Sequence, residues 1–186
     1  IKMNDNREKD DFYPTPPQAV LPLLPHLELI GNTQYDVWEC ACGDGAISKV
    51  LEENGLNVRS TDLIDRGYGQ PNIDFLMETK ANCNWIVTNP PYKLANEFVL
   101  KCLDLLHYHE ELIGFAMLLR LAYLEGQTRR RSIYDVHAPA EVLVFSERLT
   151  MIRGDHEEAW YGSGKIAFCW MVWRRDKIDR TNLSWI

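Results

Sequence analysis

The sequence predicts an α/β chain: a three-layer sandwich around a mostly parallel sheet, formed as a single domain over residues 1–186. Three observations predict it. Short apolar runs recur at residues 35–40, 57–61, 84–88 and 112–119. Stretches with apolar residues at helical spacing lie between several of them, and turns bearing Gly or Pro follow two of the runs without a spacer. Strands alternating with helices at this spacing pair in parallel through right-handed crossovers.

Thr15 with the Pro16-Pro17 pair is a helix-start signature, and Pro22 and Pro25 break or kink the segment that runs on to residue 29. Tyr35 to Cys40 reads as a buried strand that runs into the turn Cys42-Gly43-Asp44-Gly45. Ala46 to Asn54 reads as a helix, with Ile47, Val50 and Leu51 on one face and Gly55 as its stop. Asn57 to Thr61 is a second strand, ending at Asp62, and Asn84 to Thr88 a third, cut off by Asn89-Pro90-Pro91-Tyr92. Leu94 to Leu106 carries the apolar spacing of a helix laid on a sheet. Leu112 to Leu119 suits a central strand, and Arg129 to His137 a short helix. Glu141 to Phe145 and Lys165 to Trp173 are further strands with no helix evident between them, which predicts an antiparallel hairpin at one edge.

Composition narrows the class. No apolar run is long enough to span a membrane, and the polar start lacks the apolar core of a signal peptide, so a soluble, cytoplasmic protein is expected. The first residue is Ile rather than Met, so the natural start is expected upstream or at Met3. Five cysteines without a CxxC pair favour reduced thiols over a disulfide framework or a zinc site, and no metal is expected. The net charge of −7 runs against the electropositive footprint of a nucleic-acid binder. Distribution matters more than the total, and basic residues do cluster late, at Arg120, Arg129, Arg130, Arg131, Arg148 and Arg153.

Two turns carry the chemistry. After the first strand comes Glu39-Cys40-Ala41-Cys42-Gly43-Asp44-Gly45, whose glycines let backbone approach a ligand at the start of a helix. It is neither a GxGxxG dinucleotide turn nor a P-loop. Asp62, closing the next strand, is placed to accept ribose hydroxyls. After the third strand, Pro90 and Pro91 can continue neither sheet nor helix, and they hold Asn89 and Tyr92 at the same carboxyl edge as the glycine turn.

This set resembles the N6-adenine class of DNA amino-methyltransferases, in its small phage-like form, and the resemblance covers nearly the whole chain. It implies a class I, Rossmann-like methyltransferase fold with S-adenosyl-L-methionine as cofactor. Tyr13-Pro14-Thr15-Pro16 resembles the family's N-terminal cofactor motif, and Glu39 to Gly45 its cofactor-binding turn in a CGxG variant. Asp62-Leu63 falls where the family places its ribose-binding acid, and Asp74-Phe75 where residues contact the cofactor's adenine. Asn89-Pro90-Pro91-Tyr92 is its catalytic tetrapeptide. The Asn89 side-chain oxygen and the Pro90 carbonyl would each accept one N6–H bond, and Tyr92 would offer a face for a base held outside the duplex.

Target reading would fall to loops, for which residues 123–132 and 149–164 are the candidates. The second holds Arg153, His156, Trp160 and Tyr161, with Lys165 just beyond it, a basic and aromatic set suited to phosphates and bases. Arg129, Arg130, Arg131 and Arg153 are the expected nucleic-acid contacts, and a homodimer stays open. The leading expectation is methyl transfer to adenine N6 in DNA. The same chemistry on RNA adenine or on a protein glutamine amide is the alternative, and a non-catalytic nucleic-acid-binding relative of the fold is the third. An NAD-linked dehydrogenase is disfavoured by the glycine pattern.

Overall fold

The computed structural model describes residues 13–149, 151, 166–176 and 180–186. Seven strands form one sheet: β1 (Tyr35–Glu39), β2 (Val58–Ser60), β3 (Cys83–Thr88), β4 (Gly114–Arg120), β5 (Glu141–Val144), β6 (Phe168–Arg174) and β7 (Asn182–Trp185). Their order is β2-β1-β3-β4-β6-β5-β7. The first four pair in parallel, β6 is antiparallel to both β4 and β5, and β7 is parallel to β5. From β1 the chain passes outward to β2 and then returns to β3 on the other side. That reversal opens a crevice at the carboxyl ends of β1 and β3, the place where open α/β sheets bind ligands.

Alternation along the strands divides the core into two layers. Trp38, Ile86, Phe115, Met117, Leu119, Met171 and Trp173 face the helix α3 (Ala95–Tyr108), which buries Phe98, Val99, Cys102, Leu105 and Leu106 against them. Val37, Trp85, Val87, Ala116, Leu118, Trp170 and Val172 face the other way, toward α1 (Pro17–Val20) and α2 (Ala46–Glu53). Four tryptophans, Trp38, Trp85, Trp170 and Trp173, are fully buried. Each indole N–H is satisfied: Trp38 donates to Thr61 Oγ1 (2.9 Å), Trp85 to the Glu28 carbonyl (2.6 Å), Trp170 to the Ala19 carbonyl (2.7 Å) and Trp173 to the His137 carbonyl (3.0 Å). A buried ring therefore costs no orphaned donor, and two of these bonds tie the N-terminal segment onto the sheet.

Local rules explain the element ends. Pro17 sits in the first turn of α1, where its missing N–H removes nothing. With Pro22 and Pro25 ahead, the chain tightens into a 3-10 helix over Leu21–His26. α2 ends at Asn54 and Gly55, and the left-handed Gly55 (φ 86°) lets Leu56 N–H return to the Leu51 carbonyl at 3.1 Å.

Two expectations need adjustment. The antiparallel β5–β6 pair forms, but it lies one strand in from the edge, because β7 adds to β5 in parallel. The short helix expected over 129–137 begins at Gln127 and includes a π-helical stretch over Arg130–Tyr134. Among the described residues no helix is long and apolar enough to cross a membrane.

Candidate functional site

A cavity of about 400 Å³ opens where the turn after β1 and the segment after β3 adjoin. Among residues expected at a cofactor, Tyr13, Pro14, Thr15, Glu39, Cys40, Ala41, Gly43, Asp62, Leu63, Asp74 and Phe75 line it. Gly45 does not. Within the tetrapeptide, Asn89 and Pro91 line it, whereas Pro90 and Tyr92 do not. Cys42 and Asp44, inside the turn read as cofactor-binding, line it too, whereas sequence reasoning missed Ala46, Ile47, Ile64, Arg66, Ile73, Leu76, Lys93, Leu94 and Phe98. Ala46 and Ile47 continue the glycine turn into α2 and could have been read from it. Ile64, Arg66 and Ile73 come from the excursion after β2, and Phe98 from inside α3, where no local pattern marks them.

The acids hold the turn in shape. Asp62 accepts the Gly43 N–H through one carboxylate oxygen (2.8 Å) and the Ile64 N–H through the other (2.8 Å), so it spans the two chain segments beside the cavity. Asp74 accepts the Leu76 N–H at 3.0 Å and caps the 3-10 turn Phe75–Met77, which sets Phe75 edge-on to Trp38. Glu39 is buried and accepts both the backbone N–H (2.8 Å) and the hydroxyl of Ser48. Ser48 Oγ also lies 2.7 Å from Ser60 Oγ, so the end of β1, the start of α2 and the end of β2 share one polar cluster. Burial pushes the Glu39 carboxyl well above the usual carboxylate range; the two Ser48 bonds oppose this, and the charges of Asp44 and Asp62 add to it. The Cys42 thiol is pushed up to about 12, first by burial and then by the charges of Glu39 and Asp62.

Gly45 serves packing. It is left-handed (φ 83°), and a Cβ there would run into the Tyr68 ring. Tyr68 lies over the start of α2, its hydroxyl donating to Glu52 (3.0 Å) with Lys49 Nζ 5.0 Å from the ring centre. The segment after β2 is thereby folded back against the glycine turn.

The tetrapeptide leaves β3 at once. The Pro91 carbonyl accepts the Leu94 N–H (2.9 Å) and starts the 3-10 turn Tyr92–Leu94 that leads into α3. The Asn89 amide nitrogen donates to the Tyr13 carbonyl (3.2 Å) and to Thr15 Oγ1 (3.1 Å). A carbonyl can only accept, so Tyr13 fixes which end of the amide is nitrogen. The opposite end, Asn89 Oδ1, is buried and has no hydrogen-bond partner among the described residues. The Tyr92 ring is stacked on Tyr13 (5.7 Å between centres, 26° between planes), tilted against Phe168 (6.0 Å), and has the Arg120 guanidinium 4.6 Å from its centre.

The basic residues separate. Arg129 donates from Nε to the Tyr123 carbonyl (2.8 Å) and from one terminal nitrogen to the Glu125 carbonyl, and its guanidinium lies 4.7 Å from the Tyr123 ring centre. Arg130 and Arg131 are exposed, Arg130 in a surface pair with Asp135 (3.6 Å). Arg153 and most of the 149–164 loop lie outside the described residues. Among those described, no cluster of His, Cys, Asp and Glu could hold a metal ion, and all five cysteines are free and buried.

No family model matches the sequence, and no curated protein matches it. Solved structures do. A modification subunit assigned to a type I restriction enzyme of Vibrio vulnificus superposes with a TM-score of 0.60 at 14% identity, over 98% of this chain and 48% of that one. The chain thus spans about half the length of that structure. A dimethyladenosine transferase from Plasmodium falciparum gives 0.56 at 13% identity, over 88% of this chain and 63% of that one. A magnesium protoporphyrin IX methyltransferase from Synechocystis PCC 6803 with bound SAM gives 0.51 at 14% identity, over 86% and 79%. The fold is that of the class I S-adenosylmethionine-dependent methyltransferases.

Proposed function

We propose that the chain is an S-adenosylmethionine-dependent methyltransferase that acts on the N6 amino group of adenine in DNA. The observation that carries this reading is the oriented Asn89 amide, with both donors spent on Tyr13 and Thr15 and a buried oxygen, unpartnered among the described residues, beside the cavity. A buried acceptor left unmet costs about 1–3 kcal/mol, which a substrate N–H recovers on binding.

The cavity residues fit a nucleoside cofactor. Leu63, Ile64, Phe75 and Phe98 supply apolar wall, while Asp62 and Asp74 supply acceptors for hydroxyl and amino groups. Asp62 would hold the ribose, since each of its oxygens has one backbone donor and a lone pair to spare. Asp74 and Phe75 would hold the adenine. S-adenosylmethionine, when bound, supplies an electrophilic methyl group.

The chain's own residues act on the acceptor. An exocyclic amine is a poor nucleophile because its lone pair is delocalised into the ring. Asn89 Oδ1 and the Pro90 carbonyl take one N–H bond each, which favours a pyramidal nitrogen and stabilises the positive charge it develops. Pro90 and Pro91 keep the two acceptors preorganised, so positioning supplies most of the gain. No general base is needed, because the proton can leave to water after transfer.

The relatives in fold support a nucleic-acid target, since a restriction modification subunit and a dimethyladenosine transferase are among them. RNA adenine or a protein glutamine amide is the second reading, and the net charge of −7 favours the amide, the one target of the three that is not a polyanion. Transfer of labelled methyl to unmethylated duplex DNA, structured RNA and cell-extract protein, run in parallel, tests the assignment. Label recovered as N6-methyladenine in DNA is the expected result. Label only on RNA or protein would retire the DNA claim and keep the chemistry.

A further inference from the structure

Arg120 ends β4 and is exposed. Its guanidinium lies 4.6 Å from the centre of the Tyr92 ring, in the tetrapeptide that the proposed reaction uses. Cross-strand pairing sets it opposite Phe168, which also meets Tyr92, so two neighbouring strands converge on that ring. Among the described residues no carboxylate lies within ion-pair distance of Arg120, in contrast to Arg59, Arg130 and Arg174, which pair with Glu78, Asp135, and Glu28 and Glu141. Among those residues the protein thus keeps an uncompensated cation beside its candidate acceptor site, although its net charge is −7.

That placement conflicts with the chemistry unless the substrate brings an anion. Methyl transfer from a sulfonium to an amine builds positive charge on the acceptor nitrogen, and a bare guanidinium nearby opposes it. A glutamine amide would leave the cation unneutralised. A nucleotide carries its amino group and a phosphate on one short frame, and a guanidinium grips phosphate with two parallel N–H bonds. Stacking on Tyr92 holds the planar fork ready at little entropic cost.

We propose that Arg120 binds the DNA backbone phosphate next to the target adenine, moving off the Tyr92 ring as the base takes that place. It is a substrate-positioning residue that selects a nucleotide over a peptide amide. This inference rests on the methyltransferase reading for its substrate, and the experiment scores the two separately.

The experiment measures binding of fluorescein-labelled single-stranded oligo(dA) by anisotropy across a salt series, with S-adenosylhomocysteine present, for the wild type, Arg120→Ala, Arg120→Lys and Arg180→Ala. Arg180 is exposed and next to the edge strand β7, so its loss removes one charge away from the site. Arg120→Ala is expected to weaken binding about ten- to a hundredfold and to lower the slope of log affinity against log salt by about 0.7, the share of one phosphate contact on a single strand. Arg120→Lys restores the slope, Arg180→Ala keeps it, and S-adenosylhomocysteine affinity is unchanged in all four. Equal slopes in Arg120→Ala and the wild type overturn the proposal, as does an equal loss in Arg180→Ala. Parallel loss of S-adenosylhomocysteine binding overturns it too, because Arg120 would then be holding the fold. A wild type that binds no oligo(dA) overturns it as well. Methyl transfer to DNA is measured on the same preparations, so that a chain that methylates DNA with an unchanged slope loses only the Arg120 assignment.

Discussion

Asn89 and Thr15, far apart in sequence, meet through a 3.1 Å hydrogen bond from the amide nitrogen to the hydroxyl, and with the Tyr13 carbonyl this bond fixes how the Asn89 side chain is turned. The N-terminal motif and the tetrapeptide are therefore one device: the first orients the second. Asn89→Ala removes the acceptor without disturbing the Asp62 and Asp74 contacts. Its turnover should fall by at least about 10²–10³-fold, the usual loss for a preorganised transition-state partner. Thr15→Val, close in shape to the buried Thr15, leaves the amide one anchor and should lower turnover by less. Steady-state methyl transfer and calorimetric titration with S-adenosylmethionine check both. Loss of cofactor affinity in proportion to turnover would remove Asn89 from the acceptor side.

Asp62 is predicted to matter twice over. Its oxygens bridge the Gly43 and Ile64 N–H groups, so Asp62→Ala loses a cofactor acceptor and also unpins the turn. Cofactor affinity should fall by about 1–3 kcal/mol, the cost of losing a charged acceptor. Asp62→Asn keeps one acceptor for Gly43 but sets an amide donor against Ile64 or the ribose, and should fall between the two. Calorimetric titration decides: unchanged affinity in Asp62→Ala excludes the residue from the site.

Gly45→Ala is expected to destabilise the whole chain rather than empty the cavity. The substitution puts a Cβ on a left-handed residue and into the Tyr68 ring. Left-handed backbone alone costs an L-residue about 1–2 kcal/mol, and displacing Tyr68 adds to that. Thermal denaturation should show the loss, and Tyr68→Ala in the same background should recover part of it. A variant as stable as the wild type would mean that the excursion after β2 does not pack on Gly45.

The two turns were legible because glycine and proline punctuate apolar runs, and each marks a strand end that no other residue type explains. The positions of β1 to β4 and the packed face of α3 followed from apolar runs and their periodicity, and the antiparallel β5–β6 pairing from the lack of a helix between those strands. β7 was not legible: Asn182–Trp185 is four residues, exposed throughout, with no buried face to leave a pattern. The cavity wall was half legible. Its motif residues stand in the turns, whereas Arg66, Ile73 and Phe98 reach it through the fold of a long excursion and the phase of a helix. The basic run at 129–131 divides for a related reason: charge in a sequence does not say that Arg129 bonds the carbonyls of Tyr123 and Glu125 while Arg130 and Arg131 stay exposed.

Glu39 makes stability depend on pH in an unusual direction for a carboxylate. Burial raises it from an ordinary 4.5, so the folded chain keeps this proton to higher pH than the unfolded chain does. Unfolding then releases a proton, and the contribution of this group, fully present below its unfolded value, is lost as pH rises through the folded one. The slope is at most ~1.4 kcal/mol per pH unit. Glu39→Gln keeps an acceptor for the two Ser48 donors and cannot ionise. The variant should match the wild type near the bottom of the window and exceed its stability by a margin that widens as pH rises. Urea denaturation of both chains from about pH 5 to about pH 8 reads the difference directly, and groups common to both cancel. A difference that stays flat with pH would mean that Glu39 is ionised in the folded protein and holds α2 as a charged acceptor.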